Sequence, residues 1–487
     1  MSEFDFVIRN GVVVTASGQS PYDVGVREGK IAALGYGLGS GAKEIDAAGK
    51  LVLPGGVDSH CHIEQPNKSG PPNADSFRSG TTSAAFGGTT CVICFSPQEK
   101  GEGVADAVAD YHARAERGAV IDYSFHVIVT DPTPSVLQND LPPLIARGHR
   151  SIKIFMTYDP SVLNDEQVLD VLAFAREHGA FVTVHAENHA AIRWMTKRLE
   201  QAGKTAPKYH AWAKPALVER EAVHRVITLA ELVDQPIQIF HVTCAEAIDE
   251  IRRAQARGLK IYGETCPQYL ALTAEDLDRP GFEGAKFICS PALRTAADQE
   301  ALWTALRTGV LGVVSSDHAP SRYGADGKQY AGSDAPFSKV PNGLPGLETR
   351  MPYLFSEGVR KGRISLQEFV ALTATNPARL FGLAPRKGAI AVGADADLAI
   401  WDPELTRTVR AADLHSGSDY SPFEGTSLTG WPVTVLARGE PVVLDGKNLA
   451  VPGFGRFLPR DPYEEIAPLG RFVTGFDPYE AARRNSV

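Results

Sequence analysis

The sequence predicts an α/β protein in which a TIM-type (β/α)8 barrel is joined to a small β-sandwich domain formed from both chain ends. Two observations lead to this fold class. The middle of the chain, about 52–385, alternates strand-like and helix-like segments. Both ends instead carry short strands separated by Gly and Asp. A chain of 487 residues is long enough for such a barrel and one further domain.

The β-rich ends set the predicted domain boundaries. Short strands are expected over 6–15, 23–27 and 30–34 near the N-terminus, and over 396–401, 433–437 and 441–444 near the C-terminus. Because the two ends share this character, we expect them to meet in one domain. The predicted division assigns 1–51 and 388–459 to the sandwich, 52–387 to the barrel, and 460–487 to a C-terminal extension that either covers a neighbouring subunit or is a loose tail.

The middle of the chain supplies eight strand candidates for the barrel. They are expected over 51–58, 90–95, 123–129, 151–155, 181–185, 237–242, 260–264 and 312–316. One intervening helix is well marked, since Asn164 can cap its N-terminus with Gln167 three residues later, and Gly179 can end it. Eight strand-then-helix units are typical of a TIM barrel.

Composition and charge exclude some classes of partner. Hydrophobic residues make up 43% and charged residues 22% of the chain, as in ordinary globular enzymes. A net charge of −9 argues against nucleic-acid and anionic-membrane partners. The start of the chain lacks the features of a signal peptide, and the six cysteines do not form a disulfide framework. We therefore expect a cytoplasmic protein with reduced thiols.

The strongest chemical signal is the pair His60 and His62, directly after the first barrel strand. Side chains in a strand alternate, so these two imidazoles point the same way. They stand at the C-terminal end of the strand, where the active sites of barrels lie. Such a pair can hold a divalent metal ion, although an H-x-H pair on its own is also compatible with two surface histidines.

Four further residues strengthen the metal interpretation. His185, His241 and Asp317 each end a predicted barrel strand, and Lys153 lies inside the apolar fourth strand. A lysine in such a run ordinarily reaches out to water or marks a misassigned strand. Here these residues converge with the histidine pair on one rim of the barrel, so we predict a metal site there.

Several motifs resemble the dihydropyrimidinase/hydantoinase family of the amidohydrolase superfamily. They are LPGGVDSHCH (53–62), SIKIFMTY (151–158), VHAEN (184–188), GETCPQYL (263–270), SDHAP (316–320) and NGLPG (342–346). The resemblance runs from near residue 1 to about 460, and the motifs are specific in combination.

The resemblance implies a centre of two divalent metal ions, usually zinc. His60, His62 and Asp317 would hold one ion, and His185 and His241 the other. Lys153 would bridge them after its N6-amine has been carboxylated by CO₂. An unmodified ammonium would be repelled by two divalent cations and disfavoured by desolvation. The family also implies a homotetramer acting on a small cyclic amide.

The resemblance also implies a mechanism. A hydroxide shared by the two ions attacks the ring carbonyl. The Tyr158 hydroxyl helps to stabilise the oxyanion, although a packed tyrosine at the rim is the simpler alternative. Asp317 takes the proton and delivers it to the leaving ring nitrogen. Backbone groups at Ser290 and Asn342 orient the ring.

The exact ring is left open by the sequence. Glu64 occupies a position where a dihydroorotase is expected to have Arg and an allantoinase Asn, which disfavours both. The adjoining loop 65–74 differs from the usual family sequence. The predicted substrate is a dihydropyrimidine, a 5-substituted hydantoin, or a related cyclic imide or ureide. The alternatives are an allantoinase-like or lactam-ring hydrolase, and a non-catalytic scaffold that has lost metal ligands.

Overall fold

The computed structural model describes residues 2–67, 70–472 and 477. Its strands, numbered in chain order, are β1 (Phe4–Arg9), β2 (Val12–Thr15), β3 (Gly18–Ser20), β4 (Asp23–Arg27), β5 (Lys30–Gly35), β6 (Gly41–Asp46), β7 (Leu51–Pro54), β8 (Gly56–Cys61), β9 (Thr89–Ser96), β10 (Asp122–Ile128), β11 (Ser151–Phe155), β12 (Phe181–His185), β13 (Ile237–Ile239), β14 (Ile261–Thr265), β15 (Val313–Val314), β16 (Leu398–Thr408), β17 (Ser427–Ala437), β18 (Glu440–Leu444) and β19 (Lys447–Asn448).

The α-helices are α1 (Phe77–Phe86), α2 (Val104–Gly118), α3 (Leu141–Ala146), α4 (Asp165–His178), α5 (His189–Gln201), α6 (Tyr209–Ala213), α7 (Ala216–Val233), α8 (Ala245–Ala256), α9 (Pro267–Ala271), α10 (Ala296–Arg307), α11 (Arg350–Leu354), α12 (Leu366–Val370) and α13 (Asn376–Leu380). None of the helices in the described ranges combines the length and the apolar composition needed to span a lipid bilayer.

The central feature of the fold is a parallel sheet of eight strands in the order β15-β14-β13-β12-β11-β10-β9-β8. An isolated parallel bridge between Cys61 and His318 joins its two edges, so the sheet is nearly closed. The strands are buried along almost their whole length, as expected when helices cover the outside of a barrel. The predicted TIM-type barrel is confirmed.

Two further sheets are built mainly from the chain ends. β1, β4, β5 and β6 form one, and β2, β3 and β7 share the other with β16–β19. The connection between the ends is direct, because β7 pairs antiparallel with β16 from Leu51↔Trp401 to Pro54↔Leu398. The predicted β unit made from both termini is therefore present. The exact domain boundaries stay a prediction.

The sequence predicts one strand over 51–58, and here the structure differs. The segment forms β7 in the terminal sheet and β8 in the barrel, with Gly55 between them. A Cβ at Gly55 would lie 2.1 Å from Thr90 Oγ1, so only glycine permits this close passage. The N–H of Gly55 donates to the carbonyl of Asp397, which anchors the crossing.

The helix predicted from its capping residues is α4. The Asn164 side chain accepts from the N–H of Gln167, and the Gln167 side chain accepts from the N–H of Asn164. Gly179 ends the helix in the left-handed conformation, with φ of 63°. The apolar face of the helix, which includes Val168, Val171 and Leu172, lies in the same hydrophobic cluster as residues of β11 and β12.

The described part of the C-terminal extension packs on its own chain. Arg460 donates to Ser151 Oγ at 2.9 Å, and the N–H groups of Leu469 and Gly470 donate to the Asp234 carboxylate. Residues 473–476 and 478–487 of the predicted extension lie outside the described residues.

Candidate metal centre

The barrel brings the predicted site residues to one mouth. His60 lies near the end of β8, Lys153 in β11, and His185 at the end of β12, while the remaining residues follow strand ends. Because the strands are parallel, their C-terminal ends share one rim. All nine predicted residues line one cavity of about 350 Å³, namely His60, His62, Lys153, Tyr158, His185, His241, Ser290, Asp317 and Asn342.

Within this cavity the histidine nitrogens face one another and Asp317. Asp317 Oδ1 lies 3.0 Å from His60 Nε2 and 3.5 Å from His62 Nε2. On the other side, His241 Nε2 lies 2.9 Å from His185 Nδ1. Potential ligand atoms of His60, His241 and Asp317 all lie within 4.8 Å of one another, and all three residues are buried. Imidazole and carboxylate donors at this spacing suit a divalent ion.

A purely structural role does not explain why the side chain of Lys153 is buried. Its side chain is buried, and its Nζ has no hydrogen-bond partner among the described residues. The Nζ instead lies 4.1 Å from the ring centroid of Phe240. Burial lowers the pKa of Lys153 to about 7. A buried amine that lies beside four histidines, with no hydrogen-bond partner in the described part of the chain, is suited to bind a further group.

Protonation states at the site favour metal binding. Burial lowers the pKa of His185 to about 4 and that of His241 well below its usual value, so both imidazoles are neutral near pH 7. Burial would raise the pKa of Asp317, but the facing His60 holds it well below its ordinary value. Neutral imidazoles and an ionised carboxylate are the forms that bind metals.

Buried acids orient two of these histidines from behind. His60 Nδ1 donates to Glu264 Oε1 at 2.5 Å, and His185 Nε2 donates to Glu187 Oε2 at 2.6 Å. Such bonds fix the tautomer that turns the other nitrogen toward a metal. Sequence reasoning missed both acids. The available signal was a charged residue inside the apolar strand β14, and one within the motif that follows β12.

Three site residues have a positive φ angle, which is an unfavourable backbone conformation for residues other than glycine. The φ angles are 70° at Tyr158, 38° at His241 and 47° at Asp317. Non-glycine residues in this region are uncommon, and such strain is concentrated at functional sites. The strain supports a functional rather than a packing role for these side chains.

The three residues predicted to contact substrate lie together on one side of the cavity. The Ser290 hydroxyl donates to Asn342 Oδ1 at 3.4 Å, and the Tyr158 ring centroid lies 5.1 Å from that of His185. Lys214, which the sequence did not single out, donates to Ser290 Oγ at 2.5 Å and lies 3.3 Å from Glu187 Oε2. Lys214 thus connects the substrate side with the acid behind His185.

Glu64, which the sequence places where a dihydroorotase would have a substrate-binding Arg, does not line the cavity. Glu64 Oε2 accepts the N–H of Phe77 at 2.7 Å, at the start of α1, and Arg114 lies 3.9 Å from its other oxygen. Its neighbour Gln65 faces the cavity instead and accepts from His62 Nδ1 at 2.6 Å. The turn at Glu64, with φ of 50°, directs Glu64 away from the cavity and Gln65 toward it.

Comparison with known proteins agrees with the fold and identifies the family. The family model described as the amidohydrolase family matches residues 51–442. The chain therefore belongs to the amidohydrolase family, as its motifs indicated. Membership implies bound divalent metal ions, and the donor cluster around Asp317 is the candidate site.

Individual relatives show which members of the family the chain resembles. The D-hydantoinase of Rhizobium radiobacter is 44% identical over 462 residues, which cover 95% of this chain and 100% of that protein. The D-hydantoinase of Geobacillus stearothermophilus is 45% identical over 460 residues, covering 94% and 97%. The crystal structure of dihydropyrimidinase from Brevibacillus agri NCHU1002 matches with a TM-score of 0.91 and 43% identity, over 94% of this chain and 99% of that one. The predicted resemblance is confirmed.

Proposed function

We propose that this chain is a metal-dependent hydrolase that opens a cyclic amide by breaking a ring C–N bond. The substrate class is a dihydropyrimidine, a 5-substituted hydantoin or a related cyclic imide or ureide. One observation carries the proposal: six potential ligands from five barrel strands and their ends converge on one cavity, and the Lys153 Nζ among them is unpaired. Relatives named hydantoinase and dihydropyrimidinase that match over almost the whole chain support it.

The proposed cofactors are two zinc ions. His60, His62 and Asp317 would hold one ion and His185 and His241 the other, with Lys153 joining them as a carbamate. The neutral Lys153 amine attacks CO₂, a C–N bond forms, and the amine proton leaves. When bound, the two metal ions would supply a water molecule ionised near neutral pH and would polarise the ring carbonyl. The unpaired Nζ and the facing nitrogens of His185 and His241 support this arrangement.

The protein residues would move the proton and hold the ring. Asp317 Oδ accepts the proton of the attacking water and passes it to the leaving ring nitrogen. Burial raises the pKa of Tyr158 well above its usual value, so its hydroxyl stays protonated and can donate to the developing oxyanion. The backbones of Ser290 and Asn342, on the same side of the cavity as Tyr158, orient the cyclic amide.

The alternative functions are less well supported. Allantoin or a lactam would use the same chemistry, but the similar proteins described above are hydantoinases and a dihydropyrimidinase. A non-catalytic scaffold would not need a complete set of ligands. Here all six positions keep residues able to bind metal, and three site residues keep strained backbones.

The assembly and the compartment are also proposals. We propose a homotetramer, as the family resemblance implies, and a cytoplasmic location. The six cysteines are all free and buried, which suits a reducing compartment. Sedimentation equilibrium tests the assembly, since a tetramer requires four times the chain mass of 52.3 kDa.

The function is tested by assaying the purified chain with dihydrouracil, 5-substituted hydantoins, allantoin and succinimide. We expect turnover of a hydantoin or dihydrouracil that is abolished by removing metal and restored by Zn²⁺. Turnover of allantoin alone would favour the first alternative, and no turnover of any ring with a full metal complement would favour the scaffold.

Substitution of Lys153 gives the sharpest control. Lys153→Ala should lose both bound metal and turnover, with partial rescue by small carboxylic acids that replace the bridging oxygens. The matched variant is Lys43→Ala, which removes an exposed lysine in β6 and should leave both unchanged. Full activity of the Lys153 variant would contradict the assignment.

A further inference from the structure

A buried lysine, Lys328, which has no acidic partner in the described part of the chain, lies behind the substrate side of the cavity. The side chain of Lys328 is fully buried, and its hydrogen bonds go to three backbone carbonyls. These are the carbonyls of Ile288 at 2.9 Å, Pro341 at 2.7 Å and Gly343 at 2.7 Å. Burying an ammonium is costly unless its donors are used, and a lysine has three. Burial lowers the pKa of Lys328 to about 7, while the three carbonyl acceptors, one for each N–H of the ammonium, stabilise the charged form.

The three carbonyls belong to the two segments that carry Ser290 and Asn342. Ile288 lies two residues before Ser290, while Pro341 and Gly343 flank Asn342. The N–H of Gly343 also donates to the carbonyl of Ile288 at 3.1 Å. The ammonium and this backbone bond together fix the separation of the two segments, and so of the residues that line the cavity.

One of the carbonyls shares a peptide unit with the N–H of Asn342. The Pro341 carbonyl and this N–H are the two ends of one planar amide. A cation on the oxygen polarises the amide, which makes its N–H a stronger donor. Among the described residues no acceptor bonds to the N–H of Asn342, so it is free to donate to a ring carbonyl.

We propose that Lys328 is a positioning residue for ring binding. Its ammonium fixes the Ser290 and Asn342 segments relative to each other and strengthens the N–H of Asn342. The inference rests on the proposed function, in which these two backbones orient the cyclic amide. Because its hydrogen bonds go to the substrate segments and not to the six proposed ligands, Lys328 acts on ring binding and leaves the metal centre unchanged.

An interaction made equally before and during the reaction changes KM and leaves kcat alone. Lys328→Gln, which removes the charge, should raise the KM for hydantoin by about tenfold or more with kcat within about threefold. Lys328→Arg keeps the charge and should recover part of the loss. Lys328→Met, of similar length, is the second uncharged variant if the Gln protein does not fold. Lys339→Gln, an exposed lysine of the same loop, is the matched control and should behave as the wild type.

Metal content is measured on every variant. An unchanged KM in both uncharged variants, or a fall in kcat together with loss of metal, would overturn the inference while leaving the proposed function standing. If the wild type turns over no cyclic amide, the proposed function fails separately. Calorimetric titration with hydantoin then tests the same variants. Binding to Lys328→Gln about tenfold weaker than to wild type supports the positioning role, and equal binding or no binding to either protein overturns it.

Discussion

At the scale of single residues, the site depends on how each imidazole is oriented. Glu264 is fully buried in β14 and accepts hydrogen bonds from His60 and from Gln238 Nε2, the latter at 3.0 Å. Both of its oxygens are therefore used to hold one rotamer and one tautomer. A ligand held in this way binds metal without a further loss of side-chain freedom.

Glu264→Gln should weaken the affinity for Zn²⁺ by about 10- to 100-fold. The amide keeps an acceptor for His60 but removes the negative charge to which His60 donates, so the hydrogen bond that fixes the imidazole is weaker. Competition with a chromogenic chelator measures the change. Glu275→Gln, at an exposed position, is the control. Equal affinity in both variants would show that Glu264 does not support the metal centre.

Residue patterns predicted the proposed metal ligands but not the residues that hold them in place. His60, His185 and Asp317 lie at or just after the ends of apolar strands. A strand end can be recognised in the sequence because the regular pattern of apolar residues stops there. Glu264 bonds to His60, which is 204 positions away in the sequence, and Lys328 bonds to Ile288, which is 40 positions away. Both contacts join separate elements that pack together only in the fold. No local pattern encodes such a pairing, so these residues became recognisable only in the folded chain.

At the scale of elements, a half-buried histidine, His112, meets a buried one, His149, where α2 meets the segment after α3. His112 Nε2 and His149 Nε2 are 3.2 Å apart, and Phe457 from the C-terminal segment packs on both rings. Burial, together with the neighbouring His112 and Arg460, lowers the pKa of His149 to about 3. The unfolded chain has an ordinary histidine pKa of about 6.5.

This difference predicts an acid-sensitive contact. A folded pKa below the unfolded one contributes stability above about pH 6.5 that is lost as the pH falls toward 3. Between pH 7.5 and pH 5, His149 should account for a loss of about 2 kcal/mol in the free energy of unfolding. Urea unfolding of wild type and His149→Gln at both pH values measures it. The variant should show the smaller loss, and identical losses would contradict the assignment.

Element boundaries were predictable where capping chemistry marks them, as at α4. They were not predictable at 51–58, where one apolar run serves two sheets. The change of sheet depends on the close approach of Gly55 to Thr90, which is a tertiary contact. For the same reason β13 ends at Ile239 although the apolar pattern continues to 242, since the chain turns there to present His241.

At the scale of the whole molecule, a buried ion cluster joins the barrel to the terminal sheets. Lys387 Nζ lies 2.8 Å from Asp122 at the start of β10, and 3.0 and 2.7 Å from Asp395 and Asp397 just before β16. Arg438 also contacts Asp122. The cluster is at the opposite end of the barrel from the metal centre. It links sequence positions too distant for any pattern to pair, although the meeting of the two chain ends was predicted correctly.

Lys387→Met should lower the free energy of unfolding by about 3–5 kcal/mol, because it leaves three buried or partly buried carboxylates without their shared cation. The KM and kcat measured at 25 °C should stay close to wild type. Lys30→Met is the control, since its pair with Asp395 at 2.6 Å is half exposed and is worth at most about 1 kcal/mol. Equal unfolding midpoints for the two variants would contradict a structural role for the cluster.

The central claim is that the six converging side chains hold two divalent ions. Elemental analysis of the purified, active chain, combined with anomalous diffraction from its crystals, tests this most directly. We expect two ions per chain, one beside His60, His62 and Asp317 and the other beside His185 and His241, with continuous density from Lys153 to both. A fully active chain without metal, or ions bound elsewhere, would contradict it.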